Sequence, residues 1–125
     1  SSETPDVQTY LHVKDNISKY QLKIDINSKA LKDKLVEVTT TLNFEDITIN
    51  EKKANFELTY AAIVKINDDV TDKKILEKII LCDVQNQISE KLEKSFLNLM
   101  HDSGYQGVKF EKKIDFDRLY SEKFN

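Results

Sequence analysis

The chain of 125 residues has 19 basic and 22 acidic side chains, which give a formal charge of −3 at pH 7. This length predicts a single domain. Arg118 is the sole arginine and no basic stripe is present, so we expect no nucleic-acid partner. No run approaches the ~18 apolar residues of a membrane span, so we expect no membrane partner. Cys82 has no second cysteine to pair with, which favours a reduced, cytoplasmic location.

Scarce glycine and proline argue against an enzyme. Only Gly104, Gly107 and Pro5 occur, so glycine-rich phosphate loops and glycine-flanked nucleophile turns cannot be built. His12 and His101 lie in different predicted elements and lack metal-ligand spacing. We therefore predict a protein without catalytic residues, bound metal or cofactor.

The first half of the chain alternates between apolar and polar residues. This period of two predicts strands over Tyr20 to Asn27, Val36 to Phe44 and Ala54 to Ile66. A polar turn is expected at Asn50 to Lys53, and an earlier strand is plausible at Val7 to Lys14. Because the connections are short, neighbouring strands should pair antiparallel in a sheet of three or four strands.

The second half switches to helical spacing. Thr71 or Asp72 is expected to cap a helix that ends before Gly104. An unbroken helix of this length would run roughly 45 Å, longer than a small sheet is wide. The helix should therefore kink near Leu81 to Val84, or extend to meet a partner.

These elements together predict an α+β fold in one domain spanning residues 1–125. The sheet is expected within residues 7–66, the long helix over residues 71–103 and an ordered tail over residues 104–125. Within the tail, Val108 to Phe110 should be extended.

Five segments then give a resemblance to a known family. Leu22 to Asn27 resembles the "VKLDLD" strand of the export chaperone SecB, and Leu35 to Leu42 resembles its "YEVVLRVTV" strand. Asn55 to Ile66 fits the third strand, and Ser103 to Phe110 is similar to a "GxFPxLxL" turn. Asp115 to Tyr120 stands where the family has "NFDALY". In order and spacing, the chain resembles the SecB family over about four fifths of its length.

The resemblance implies an ATP-independent holdase that binds unfolded or partly folded polypeptides in an apolar groove. The positions that match the groove strand are Ala54, Phe56, Leu58 and Tyr60. The alternative for these four side chains is that they form only the sheet's core face beneath the helix.

Acidic positions of the family that contact an export motor match Asp15 and Glu57. The alternative function is a SecB-fold adaptor with one dedicated partner such as an antitoxin. SecB-like folds also accompany toxin–antitoxin systems and mobile elements, and this chain is nearly balanced in charge where known SecB chains are strongly acidic.

The resemblance also implies a homo-oligomer, a tetramer ahead of a dimer. The helix has more apolar surface than one small sheet needs, which favours a second subunit. The residues expected at this oligomer interface are Ile79, Leu81, Ile88, Leu92 and Phe96.

Overall fold

One antiparallel sheet organises the molecule, which we describe from a computed structural model for residues 1–49, 53–106, 108 and 118. Its strands lie in the spatial order β1-β4-β3-β2. They are β1 (Ser2–Glu3), β2 (Gln21–Ala30), β3 (Leu35–Glu45) and β4 (Asn55–Lys65). The three strands predicted from the period-two pattern are confirmed as β2, β3 and β4, and the α+β class is confirmed with them.

The segment before β2 is helical, so the predicted strand from Val7 to Lys14 is wrong. Helix α1 spans Val7–Asn16, and the fourth strand is the short β1 that precedes it. The Asp6 side chain caps α1 by accepting the Thr9 N–H at 2.7 Å. Thr9 and Val13 lie one helical turn apart, and they are the two buried residues of α1.

The long helix is confirmed, and it is interrupted near the predicted kink. Helix α2 (Lys73–Lys78) leads into a π turn (Ile79–Asp83) and then into α3 (Val84–Asp102). Asp72 is the N-cap, because its carboxylate accepts the Lys74 N–H at 2.8 Å.

Gly104 ends the helix, as predicted. Its φ of 98° lies in the left-handed region, and its N–H donates to the His101 carbonyl at 3.0 Å. The Tyr105 N–H donates to the Met100 carbonyl at 2.9 Å, which completes a Schellman motif. A Cβ atom at Gly104 would stand 3.1 Å from the Tyr10 ring, so glycine is also needed for this close approach.

The β2–β3 connection contains two consecutive left-handed residues that are not glycine. Asp33 and Lys34 have φ values of 63° and 61°, and the Leu35 N–H closes the turn on the Lys32 carbonyl at 3.3 Å. Such a turn matches the twist of a hairpin, but each non-glycine residue in it is strained. The Lys34 carbonyl also accepts the Ile66 N–H at 2.8 Å.

The helices cover one face of the sheet, where the core divides into two clusters. The buried members of the aromatic cluster are Val13, Tyr20, Leu42, Ala54, Phe56, Leu92, Phe96, Met100 and Tyr105. The buried members of the aliphatic cluster are Val36, Val38, Ile66, Ile80 and Val84. Most of the predicted tail lies outside the described residues, including Phe110, residues 115–117, Leu119 and Tyr120; Val108 packs against the aromatic cluster.

Candidate functional site

The four predicted groove residues lie on the helix-covered face of β4. Ala54 and Phe56 are fully buried in the aromatic cluster, with no exposed surface. Leu58 and Tyr60 pack against the same cluster but stay half-buried. In this conformation the first pair forms core, and only the second pair offers surface to a ligand.

Aromatic rings surround Phe56 and connect the elements that border this site. Tyr105 meets the Phe56 ring edge-on at 5.2 Å, and Phe96 of α3 meets Phe44 edge-on at 5.5 Å. Tyr20 lies 5.3 Å from Phe44, between the start of β2 and the end of β3. Edge-on geometry is favoured for aromatic pairs, so these ring contacts add to the stability of the cluster beyond the burial of its surface.

Tyr20 also holds the start of β4 in place. Its hydroxyl donates to the Ala54 carbonyl at 3.1 Å and accepts the Ala54 N–H at 2.8 Å. Both backbone groups are buried, so the hydroxyl replaces the strand partner that they lack at this point. Burial raises the pKa of the Tyr20 phenol, while the hydrogen bond to Ala54 opposes the shift.

Helix α1 also packs against the aromatic cluster, through Tyr10 and Val13. The Tyr10 ring lies 5.2 Å from that of Tyr105 at an interplanar angle of 53°, and the Tyr10 hydroxyl donates to the Gly104 carbonyl at 2.9 Å. On the side of α1 away from the buried Thr9 and Val13, Val7 and Leu11 are 72% and 55% exposed. These two are one helical turn apart, so α1 presents an apolar strip to solvent.

The opposite, outer face of the sheet is polar. Glu57 is exposed there, and its register partner on β3 is Asn43, which in turn pairs with Lys23 of β2. A surface pocket of about 430 Å³ lies at this end of the sheet. Its lining residues are Gln21, Leu22, Lys23, Asn43, Glu45, Ile47 and Asn55.

The two predicted partner-contact residues do not share a face. Asp15 is exposed on α1, which packs on the helix-covered side, whereas Glu57 points outward from β4. The structure therefore does not bring Asp15 and Glu57 together on the outer face of the sheet.

The predicted interface residues of the helix divide into two groups. Ile88, Leu92 and Phe96 are buried against the chain's own sheet. Ile79 and Leu81 are only half-buried, and Ile75 of α2 is 52% exposed. Among the five predicted interface residues, only Ile79 and Leu81 thus keep partly exposed apolar surface.

Charged groups of the described residues are mostly solvated. In residues 1–49, 53–106, 108 and 118 the one ion pair joins Lys53 Nζ to Glu45 Oε2 at 3.5 Å. The buried Asp46 carboxylate accepts from the Thr48 hydroxyl at 2.5 Å and from the Thr48 N–H at 2.9 Å, and these bonds lower the Asp46 pKa.

Residues 1–49, 53–106, 108 and 118 contain neither a group of metal ligands nor a helix that could span a membrane. Within that part of the chain, no three metal-ligating side chains gather into a group. None of the helices found there combines the length and apolar content needed to cross a bilayer.

Sequence reasoning missed several of the residues that shape this site. Asp6 followed by Thr9 is an N-cap signal for α1, and Val13 continues its helical spacing. Gln85 is recognisable in the sequence as a polar residue between Val84 and the apolar stripe of α3, but its buried hydrogen-bond partner, Thr40 of β3, is not.

Comparisons with known proteins give one consistent result. The family model for preprotein translocase subunit SecB matches residues 1–125. A relative from Pelagibacter ubique (strain HTCC1062), named "Putative protein-export protein SecB", is 60% identical over 125 residues. That alignment covers 100% of this chain and 89% of the relative.

Proposed function

This chain belongs to the SecB family of preprotein translocase subunits, and we propose that it acts as an ATP-independent holdase for unfolded or partly folded polypeptides. Proteins of this family are cytoplasmic export chaperones and are not enzymes. Preprotein clients and an export motor are the partners that this membership implies.

One structural observation supports client binding. Leu58 and Tyr60 are half-buried side chains at the margin of the aromatic cluster. An unfolded polypeptide offers apolar side chains, which bind where preformed apolar surface is already partly desolvated. The proposed groove therefore uses Leu58 and Tyr60 as contact residues, with Ala54 and Phe56 beneath them.

The holdase activity is tested by light scattering of an aggregating client. Citrate synthase diluted from denaturant should aggregate less when the chain is present at stoichiometric amounts, without ATP. A double variant Leu58→Ser with Tyr60→Ser should lose most of this suppression. Thr59 lies between Leu58 and Tyr60 on the opposite face of the strand, so Thr59→Ser should keep the suppression of aggregation. Equal suppression by the double variant and by Thr59→Ser would contradict the groove assignment.

No suppression by the unaltered chain would instead contradict the holdase. If a pull-down then yielded one stable partner, the adaptor alternative, with a dedicated partner such as an antitoxin, would be favoured.

Motor contact is the second part of the proposal. Glu57 is an exposed carboxylate on the outer face beside the pocket, where a basic partner segment would find charge complementarity. Glu57→Lys should weaken binding to the export motor in titrations, whereas Glu37→Lys at the other end of that face should not. Asp15→Lys tests the second acidic position independently, because it lies on another side of the molecule.

The third part is assembly as a homo-tetramer or a dimer. Its support is the apolar surface of Ile75, Ile79 and Leu81, which the chain's own sheet leaves partly exposed. Multi-angle light scattering should give a mass above that of one chain, and Ile79→Lys should reduce it. A monomer at micromolar concentration would contradict the assembly.

A further inference from the structure

The π turn between α2 and α3 changes the hydrogen-bond pattern of the long helix. The Val84 N–H donates to the Ile79 carbonyl, a step of five residues where an α-helix has four. In such a turn, one backbone carbonyl lacks the N–H donor that it would have in a regular α-helix. The side-chain amide of Gln85 donates to a carbonyl in this turn, that of Ile80, with Nε2 and O 3.4 Å apart.

The other end of the same amide reaches the sheet. Gln85 Oε1 accepts a hydrogen bond from the Thr40 hydroxyl at 2.9 Å. Both residues have no exposed surface, so water cannot replace either partner. A fully buried polar pair costs stability unless its hydrogen bonds are made. The Thr40 and Gln85 side chains are therefore held in the geometry that makes this bond.

The Thr40–Gln85 pair lies between the aliphatic and the aromatic cluster. On the helix-covered face of β3, Val38 belongs to the aliphatic cluster, Leu42 belongs to the aromatic cluster, and Thr40 stands between them. On the helix, Val84 belongs to the aliphatic cluster and Leu92 to the aromatic one, with Gln85 in between. The hydrogen bond therefore lies between the two clusters, next to the aliphatic side chains that pack the π turn against the sheet.

The π turn determines which side of α2 meets the sheet. One residue of an α-helix corresponds to about 100° of rotation, so the extra residue in the turn rotates α2 by that amount. In a regular helix joined to the same α3, Glu77 would stand where Leu76 now packs against the aliphatic cluster. A buried carboxylate without a partner is strongly unfavourable. The turn therefore keeps an apolar residue of α2, and not Glu77, at this position against the sheet.

We propose that Gln85 is a positioning residue that locks the register of α2 on the sheet. Its amide bridges Thr40 in the central strand to the π turn, and without this bridge the turn loosens and α2 rotates or detaches. The lock decides how much of Ile75 and Ile79 is exposed, and it does not depend on the proposed client binding.

The test is amide hydrogen exchange of the full chain, followed residue by residue. Thr40→Val keeps the shape of the side chain but removes the donor, and it should accelerate exchange over Ile79 to Gln85 about tenfold. Thr40→Ser keeps the hydroxyl and should change those rates less than about twofold. Exchange from Leu92 to Met100 should stay as in the parent chain.

Two further variants distinguish loss of the Thr40–Gln85 hydrogen bond from general effects of substitution. Thr41→Val alters the neighbouring residue on the outer face, where its hydroxyl lies 3.3 Å from that of Thr59, and it should leave helix exchange unchanged. If Thr40→Val fails to fold, the double variant with Gln85→Met leaves no unpaired side-chain polar group and should still show the faster exchange. Equal rates in Thr40→Ser and Thr40→Val, or unchanged rates in the double variant, would overturn the lock.

Discussion

The aromatic and aliphatic clusters use the same sheet face and the same helix, but they are built differently. In the aromatic cluster, the hydroxyls of Tyr10, Tyr20 and Tyr105 each reach a hydrogen-bond partner while the rings pack inside. The aliphatic cluster consists of branched side chains and is joined to the helix mainly by Ile80 and Val84. Directional ring and hydroxyl contacts therefore join the elements around the aromatic cluster, whereas the aliphatic cluster depends on non-directional packing.

This difference explains where a directional contact is needed. Aliphatic packing is nearly non-directional, so it stabilises the helix on the sheet without specifying its register. The aromatic cluster has its own directional bonds, and the aliphatic cluster depends on the Thr40–Gln85 pair at its margin.

The largest expected effect comes from removing the centre of the aromatic cluster. Phe56→Ala deletes a fully buried ring that contacts Tyr20, Phe44 and Tyr105, and it should lower the free energy of unfolding by about 3–5 kcal/mol. Urea denaturation measures this. Ile80→Val in the aliphatic cluster is the counterpart and should cost about 0.5–1.5 kcal/mol. A loss well below about 3 kcal/mol for Phe56→Ala would contradict the central place of this ring in the core.

A smaller loss is expected when only a hydroxyl is removed. Tyr20→Phe leaves the buried N–H and carbonyl of Ala54 without their shared partner, at a cost of about 1–3 kcal/mol. Tyr60→Phe is the control, because the Tyr60 hydroxyl makes no hydrogen bond within the described part of the chain. Equal unfolding midpoints for the two variants would show that the Tyr20 bonds add nothing.

Alkaline pH should weaken the aromatic cluster selectively. Burial raises the pKa of both Tyr20 and Tyr105 above the ordinary tyrosine value of about 10, so the fold favours the protonated phenols. Their contribution to stability is fully present below pH ~10 and is lost as the pH rises through the raised values, with a slope of at most ~1.4 kcal/mol per pH unit for each. Urea midpoints between pH 8 and 11 measure it, and a flat profile would contradict it.

The smallest expected effect is a gain in stability at the β2–β3 connection, near the aliphatic cluster. Lys34→Gly relieves a left-handed non-glycine residue, which costs about 1–2 kcal/mol, while glycine loses about 0.5–1 kcal/mol of chain entropy. The net expectation is a stabilisation of about 0.5–1 kcal/mol, seen as a higher urea midpoint. Lys32→Gly, outside the left-handed pair, should not stabilise.

Much of this architecture was predictable from local patterns. Strands β2 to β4 follow from strict alternation, and Asp72 and Gly104 are terminal signals whose hydrogen bonds form as expected. Helix α1 was missed because Leu11 and Val13 also satisfy a strand period, and only the Asp6 cap distinguishes the two structures.

The site was less predictable than the fold. The residues Ala54, Phe56, Leu58 and Tyr60 share a face, as their alternation requires, but how deeply each is buried depends on α1 and α3. The Thr40–Gln85 pair joins residues 45 positions apart, and no local pattern reports such a contact.

Cys82 gives the π turn a chemical reporter of its own. The chain contains a single cysteine, and this residue is 1% exposed inside the turn. A thiol reagent can react only during the moments when this segment opens, so the rate of modification counts those openings directly. Labelling kinetics at varied reagent concentration would therefore separate how often the segment opens from how quickly it closes, with no mutation needed.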